Sequence, residues 1–286
     1  MIRSMLFIPS NTPNMLVNAG DLGADAIIFD LEDAVAPEMK DSARFLLMNA
    51  LASLNFGKST LIVRINGCDS PYWEQDLEAV IPLKPDAIMP PKVSDSEYIH
   101  RVDEKISQLG KKYNVHDTKI IALLETAEGI ENAFIIAKSS PRMAGLFLGA
   151  EDLTADLHSR RTKEGKEILY AREKVVSAAR AAGIEAYDTP FTDVRDNEGL
   201  KIDAEFAKGL GFSGKACISP LHVDIINEAF SPSEKESEYA LKVLEIIEDA
   251  KQQGKGAVSL YGKMIDAPIV ARARQTIEAA KEGGLL

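Results

Sequence analysis

Ala26-Ile27-Ile28-Phe29-Asp30-Leu31-Glu32-Asp33-Ala34 is the stretch that decides how this chain folds. An apolar run of strand length ends abruptly in carboxylates, and no Gly-rich turn follows it. Continuous apolar runs are what parallel strands buried on both faces require. A doubly wound nucleotide-binding sheet would place glycines directly after an early strand, so this turn speaks against that architecture. Seven further runs behave like 26–31, namely 4–9, 60–65, 87–91, 120–125, 145–149, 185–190 and 215–219. Helical stretches lie between them. The clearest, 37–54, opens on Pro37 and carries Met39, Ala43, Leu46, Leu47, Ala50 and Leu54 at helical spacing. Segments 98–109 and 172–182 repeat the pattern, with Gly110 and Gly183 where each helix is expected to stop. Eight strand–helix alternations predict an α/β fold, a closed (β/α)8 TIM barrel over residues 1–230.

Residues 231–286 continue past the eighth strand as a C-terminal helical extension. Residues 234–253 read as an amphipathic helix, with Tyr239, Leu241, Val243, Leu244, Ile246 and Ile247 in its interior. A turn at Gly254-Lys255-Gly256, a short β-like run over 257–261 and a last helix of about 268–280 complete the chain. An appendage of this length suggests oligomerisation. The whole chain has 286 residues, 45% of them hydrophobic, enough for a large core. Its net charge of −11 excludes nucleic acid and anionic membrane as partners, since both require a basic surface. A local arginine or a metal can still draw an anionic small molecule into a cleft. Cys68 and Cys217 stand alone, which speaks for a reducing compartment. The start Met1-Ile2-Arg3-Ser4-Met5-Leu6-Phe7-Ile8-Pro9 lacks a signal-peptide core, and no apolar stretch reaches the roughly 18 residues of a membrane span. The expectation is a soluble, cytoplasmic protein.

Barrel chemistry takes place at the C-terminal ends of the strands. Glu125 and Asp152 fall at the ends of neighbouring strands, five and six, and two carboxylates plus waters suit Mg2+. Asp30, Glu32 and Asp33 add charge nearby; the plainer alternative is that each carboxylate caps a helix or forms a surface ion pair. Arg64, beside Asn66, offers planar donors for a carboxylate or a developing oxyanion, or else a structural pair with the strand-two carboxylates. Lys92, after Pro90-Pro91, suits either a phosphate or Glu32. Residues 256–263 imitate a P-loop, but Met264 stands where Ser or Thr must hold the metal. His100, His116, His158 and His222 show no ligand spacing, and no Gly-x-Ser-x-Gly elbow occurs. Lys92 and Lys215 invite a Schiff-base reading, yet the crowd of carboxylates makes a metal route more economical.

Several motifs together carry a family resemblance. They are Arg3-Ser4-Met5-Leu6-Phe7-Ile8-Pro9, Phe29-Asp30-Leu31-Glu32-Asp33-Ala34-Val35, Val63-Arg64-Ile65-Asn66, Pro90-Pro91-Lys92 and Leu124-Glu125-Thr126-Ala127. Gly149-Ala150-Glu151-Asp152-Leu153 and Gly262-Lys263-Met264-Ile265-Asp266-Ala267-Pro268 complete the set. In order and over the full chain, these resemble the citrate lyase β-subunit family, grouped with malyl-CoA and citramalyl-CoA lyases in the HpcH/HpaI aldolase superfamily. The resemblance implies a Mg2+-dependent carbon–carbon lyase that splits a β-hydroxyacyl thioester of citryl-, citramalyl- or malyl-CoA type into an acetyl thioester and a keto acid. It implies metal ligands at Glu125 and Asp152 and a catalytic and substrate-binding Arg64; Lys92, Glu32 and Asp33 are further candidate substrate contacts. It implies an acid/base Asp266, supplied by a neighbouring subunit of a homo-oligomer, a trimer or hexamer. The alternatives are the citryl-carrier-protein lyase subunit of a larger complex, an acyl-CoA thioesterase and a free keto-acid aldolase.

Overall fold

The computed structural model describes residues 1–252, 258–284 and 286. Eight parallel strands close into a barrel in sequence order, β1 (Ser4–Pro9), β2 (Ala26–Asp30), β3 (Thr60–Arg64), β4 (Ala87–Met89), β5 (Lys119–Leu124), β6 (Met143–Leu148), β7 (Glu185–Asp188) and β8 (Gly214–Cys217). The ring is sealed by β1 against β8, with Met5 opposite Ala216. The predicted strands are all present, but most run one or two residues short at their C-terminal ends. Leu31, Ile65, Pro90, Glu125, Gly149, Thr189 and Ile218 have left the ladder and begin the loops that form the mouth.

The helices between strands are α1 (Pro13–Asn18), α2 (Lys40–Ser53), α3 (Trp73–Val80), α4 (Ser96–Tyr113), α5 (Ala127–Glu131), α6 (Ala133–Ala137), α7 (Ala150–Asp156), α8 (Leu169–Ala182) and α9 (Asn197–Leu210), followed by α10 (Val223–Phe230). Several predicted helix boundaries move. The 37–54 helix opens with a separate 3-10 turn, Pro37–Met39, before α2 begins. Gly110 does not end α4, which runs on to Tyr113 and stops at Asn114 in a left-handed conformation. Gly110 is there for close approach, since a Cβ on it would lie 2.3 Å from the carbonyl oxygen of Val115. Gly183 does cap α8 in the left-handed region, as glycine readily can.

Inside the barrel, period-two alternation builds a packed apolar plug from residues such as Met5, Ile28, Ile62, Met89, Leu123 and Phe147. The outward residues of β7 and β8 behave differently. Asp188 and Lys215 are completely buried and meet Arg172 of α8 and Asp203 of α9. Arg172 grips Asp188 with two donors at 3.0 and 2.9 Å and reaches Asp203 at 2.7 Å. Lys215 closes the set at 2.6 Å from both carboxylates. Two cations face two anions, so the buried charge is balanced. Lys215 therefore points away from the barrel interior, and the Schiff-base reading of it falls.

The chain partitions into one compact unit of Ile2–Asn227 and another of Glu228–Leu286 with Met1. The second unit holds α11 (Glu234–Gln252), a hairpin of β9 (Val258–Leu260) and β10 (Lys263–Ile265), and α12 (Ala267–Glu282). It has its own apolar cluster of Ala240, Val243, Leu260, Ile265, Ala273 and Ile277. The predicted turn at 254–256 and residue 257 lie outside the described residues. Among the described residues, no helix is long and apolar enough to cross a membrane.

Removing one member of a balanced buried set strands the others. Arg172→Met should lower stability by about 3–5 kcal/mol in urea unfolding. The set also responds to acid. Burial alone would raise the Asp203 carboxyl, but Lys215 and Arg172 outweigh it and hold the group below its ordinary value. A carboxyl lowered by folding stabilises the native state above its unfolded pKa of about 4, and that contribution is lost as pH falls through the folded value. Asp203→Asn should thus be less stable than wild type near neutrality, and its melting temperature should fall less steeply on acidification.

Candidate active site

The alternation that fills the barrel also selects the residues of its mouth. β2 turns Ala26 and Ile28 inward and then Asp30; β3 turns Ile62 inward and then Arg64. Asp30 and Arg64 stand opposite each other in the ladder. Arg64 donates from Nε and Nη2 to the two oxygens of Asp30 at 2.8 and 2.6 Å, a bidentate pair. Asp30 also accepts the backbone N–H groups of Glu32 and Ala34. It is an anchor for the loop that follows β2, and it fixes the plane of the guanidinium. Nη1 of Arg64 keeps looser ion pairs, 3.2 Å from Glu32 and 3.8 Å from Asp33. Burial lowers the arginine's pKa, but the bond to Asp30 and the surrounding carboxylates more than restore it, so the charge is permanent. The structural ion pair considered for Arg64 is real, and it orients the side chain.

Glu125 emerges from β5 nearly buried. Its Oε1 accepts the backbone N–H of Lys92 at 2.9 Å. Lys92 holds a left-handed backbone, φ 51°, an unusual choice for a lysine, and this aims both its N–H and its ammonium at carboxylates. The ammonium lies 3.4 Å from Glu32 and 3.6 Å from Asp152, so of the two partners considered for Lys92 the structure supplies Glu32. Those carboxylates raise its pKa against the lowering effect of burial. Asp152, in the first turn of α7, is half-exposed and lines the same cavity as Glu125. Gly149 leaves room for Glu125, because a Cβ there would lie 2.6 Å from its Oε2.

The cavity encloses about 480 Å³. Phe7, Leu123 and Phe147 make an apolar floor, with Phe7 edge-on to Phe147 and beneath the Arg64 guanidinium. Asp30, Asp33, Glu125, Glu151 and Asp152 line it against the single arginine. The imbalance is felt. Burial, then the charges of Glu32 and Asp152, push the Glu125 carboxyl up to about 8 despite Arg64 and the Lys92 N–H. Glu32 is raised as well, by burial and by Asp33 and Asp30, against the pull of Arg64 and Lys92. Carboxylates raised by burial and mutual repulsion in one cleft would be stabilised by a hard divalent cation held between Glu125 and Asp152. Among the described residues no cluster of three or more such side chains makes a closed cage. Two ligands leave coordination positions for water and substrate, which suits an ion that keeps part of its hydration shell.

The structure thus brings together Glu32, Asp33, Arg64, Lys92, Glu125 and Asp152 around one mouth. Asp266 belongs to the C-terminal unit, where its side chain accepts the N–H of Ile269 and caps α12. Sequence reasoning missed the supports. Lys40 bonds the carbonyls of Leu31 and Glu32, and Asn66 bonds Leu31 and Asp76, fixing the acidic loop from behind. A lysine inside an otherwise amphipathic helix face was the available signal for the first of these.

Residues 3–220 match the family model described as HpcH/HpaI aldolase/citrate lyase. The chain belongs to the HpcH/HpaI aldolase/citrate lyase family. It is 42% identical to the citrate lyase subunit beta of Leuconostoc mesenteroides subsp. cremoris, over 99% of this chain and 95% of that protein. It is 38% identical to a (3S)-malyl-CoA thioesterase of Cereibacter sphaeroides, over 98% of this chain and 94% of that one. Among solved structures, the CitE protein of Mycobacterium tuberculosis in complex with magnesium, acetoacetate and coenzyme A superposes with a TM-score of 0.81 at 30% identity, covering 98% of each chain. The barrel of this HpcH/HpaI family member carries its carboxylate pair on the elements described above.

The contact at Gly149 gives a direct test of the cleft's packing. Gly149→Ala should displace Glu125 and cost about 1–3 kcal/mol, as overfilling a tight site does. Thermal unfolding without added metal measures it.

Proposed function

We propose that this chain is a Mg2+-dependent carbon–carbon lyase that cleaves a β-hydroxyacyl thioester to an acetyl thioester and a keto acid. One observation carries the reading: a nearly buried Glu125, pushed up by burial and by the charges of Glu32 and Asp152, shares a cavity with Asp152 and with an Arg64 held flat by Asp30. The magnesium, acetoacetate and coenzyme A bound by the related CitE protein support the choice of ion and of thioester.

Glu125 and Asp152 would hold the metal. Bound there, Mg2+ supplies Lewis acidity at the substrate hydroxyl that becomes the keto group and a seat for the adjacent carboxylate. Arg64 stabilises the negative charge that grows on the thioester oxygen as the carbon–carbon bond breaks. Its Nη1, engaged only in longer ion pairs among the described residues, is the donor left over for this. Lys92, half-exposed at the rim, attracts the anionic substrate, while Glu32 and Asp33 contact its hydroxyl end. As the keto group forms, the hydroxyl proton passes to a strand-two carboxylate, Glu32 or Asp33. The electron pair of the broken carbon–carbon bond goes into the thioester enolate, and Asp266 of a neighbouring subunit, in its carboxylic-acid form, gives its proton to the α-carbon to complete the acetyl group. In this reading the extension 231–286 serves assembly into a trimer or hexamer and completes the site. The apolar floor of Phe7 and Phe147 excludes water from the reacting carbon.

The kinship with a thioesterase supports one second outcome, release of the free hydroxy acid and thiol by water. The kinship with citrate lyase subunits supports a carrier-borne citryl group in place of a CoA ester. A panel of malyl-, citramalyl- and citryl-CoA and carrier-bound citryl, each incubated with Mg2+, separates these by product. Acetyl thioester plus keto acid identifies the lyase. Free thiol with intact hydroxy acid identifies the thioesterase and refutes the lyase.

Arg64→Lys should lower kcat by about 10²–10³-fold, as loss of a preorganised oxyanion donor does. Asp266→Asn should bind substrate and fail to turn it over. If Asp266 acts across a subunit boundary, mixed oligomers of Arg64→Ala and Asp266→Asn chains should regain activity that neither has alone. Steady-state kinetics on the co-expressed chains measures this.

A further inference from the structure

We propose that Thr189 is a positioning residue for the metal site, the post through which the buried Arg172–Asp188–Asp203–Lys215 set fixes the helix that carries Asp152. The proposal rests on the function proposed above.

Thr189 follows β7 and is fully buried, yet it borders the cavity. Pro190 comes next, which confines Thr189 to extended backbone. From the outer side of the barrel, Lys215 donates to its carbonyl at 2.7 Å while holding Asp188 and Asp203. On the inner side, its hydroxyl accepts the backbone N–H of Ala150 at 3.1 Å.

That acceptor fills a gap in α7. The helix starts after Gly149, which has no side chain to cap it, and Gly149 must stay small because of Glu125. The buried N–H of Ala150 would otherwise be an orphan at the first helical turn. Gly149 donates to Leu124 and Ala150 donates to Thr189, so the turn is pinned at two successive residues, by β5 and by the segment just after β7. Asp152 stands two residues further on. A β-branched threonine is stiff about its first side-chain torsion, so a rigid outer charge set translates into a fixed oxygen position at the mouth. The cationic half of that set never reaches the substrate, but it decides where the second metal ligand stands.

The test is Mg2+ binding by calorimetry on the purified full chain, in wild type, Thr189→Val, Thr189→Ala and Thr189→Ser. Valine keeps the shape and removes the acceptor; alanine removes it without a new contact, in case valine disturbs folding; serine keeps the oxygen. The expected result is Mg2+ affinity at least about tenfold weaker in the valine and alanine variants, with serine near wild type, the scale at which outer-layer partners tune metal sites. Val175→Ala, in the core face of α8, serves as a destabilised control whose Mg2+ affinity should not move. Saturating Mg2+ should restore kcat in Thr189→Ala. Unchanged affinity in the valine and alanine variants, or equal weakening in Val175→Ala, overturns the proposal and leaves the lyase reading standing. Absence of Mg2+ binding in wild type overturns both.

Discussion

Closing eight parallel strands into a ring forces every second side chain toward the axis, and this constraint governs all that follows. Below, it packs Met5, Ile28, Ile62 and Leu123 into a solid plug. One layer higher it turns Asp30, Arg64, Glu125, Gly149 and Thr189 toward a common space. A strand that ended one residue earlier or later would present its neighbour's face instead. Strand parity therefore places Asp30, Arg64 and Glu125, while Glu32, Asp33 and Lys92 are set by the loops and Asp152 by the first turn of α7. Asp30 opposite Arg64 illustrates this: the ladder register places the pair, and the loop after β2 then wraps around the carboxylate it has placed.

The molecule buries charge in two places with opposite results. Outside the barrel, Arg172 and Lys215 meet Asp188 and Asp203, and Asp203 is held below its ordinary value although burial pulls the other way. Inside the mouth, Glu125 is buried too, yet its carboxyl climbs to about 8. Burial does not decide the sign. The partners do: Asp203 gains charges and hydrogen bonds from Lys215 and Arg172 that outweigh its desolvation, whereas around Glu125 the neighbouring carboxylates add to it. The outer set is complete as the chain folds. In the mouth the carboxylates outnumber Arg64 and Lys92, and in the proposed reading that excess of negative charge is what draws the ion used for bond cleavage. The two sets are joined through Thr189, so the satisfied one lends rigidity to the unsatisfied one.

Much of this was legible in the sequence, for identifiable reasons. Strands buried on both faces are unbroken apolar runs, and carboxylates that end such runs are conspicuous, which is why the barrel and Glu125 could be read directly; Asp152, expected at the end of strand six, lies instead in the first turn of α7. Gly110 misled because a glycine demanded by the close approach of Val115 looks like one demanded by a helix stop. The Arg172–Asp188–Asp203–Lys215 set escaped because its members come from four elements with no repeating interval. Parity held the missing clue: Ala216 packs inside the plug, so Lys215 and Cys217 on either side must face outward. Thr189 was hidden for a different reason, since its role lies in one hydroxyl–amide bond to a segment 39 residues away.

The central claim is that one divalent cation sits between Glu125 and Asp152. Crystals of the full chain grown with Mn2+ in place of Mg2+, with anomalous scattering recorded, test it most directly. The account predicts a single strong peak within coordination distance of both carboxylates, with waters or substrate oxygens in the remaining positions. A peak elsewhere in the molecule, or an anomalous map flat at the mouth while Glu125 and Asp152 turn apart, would contradict it.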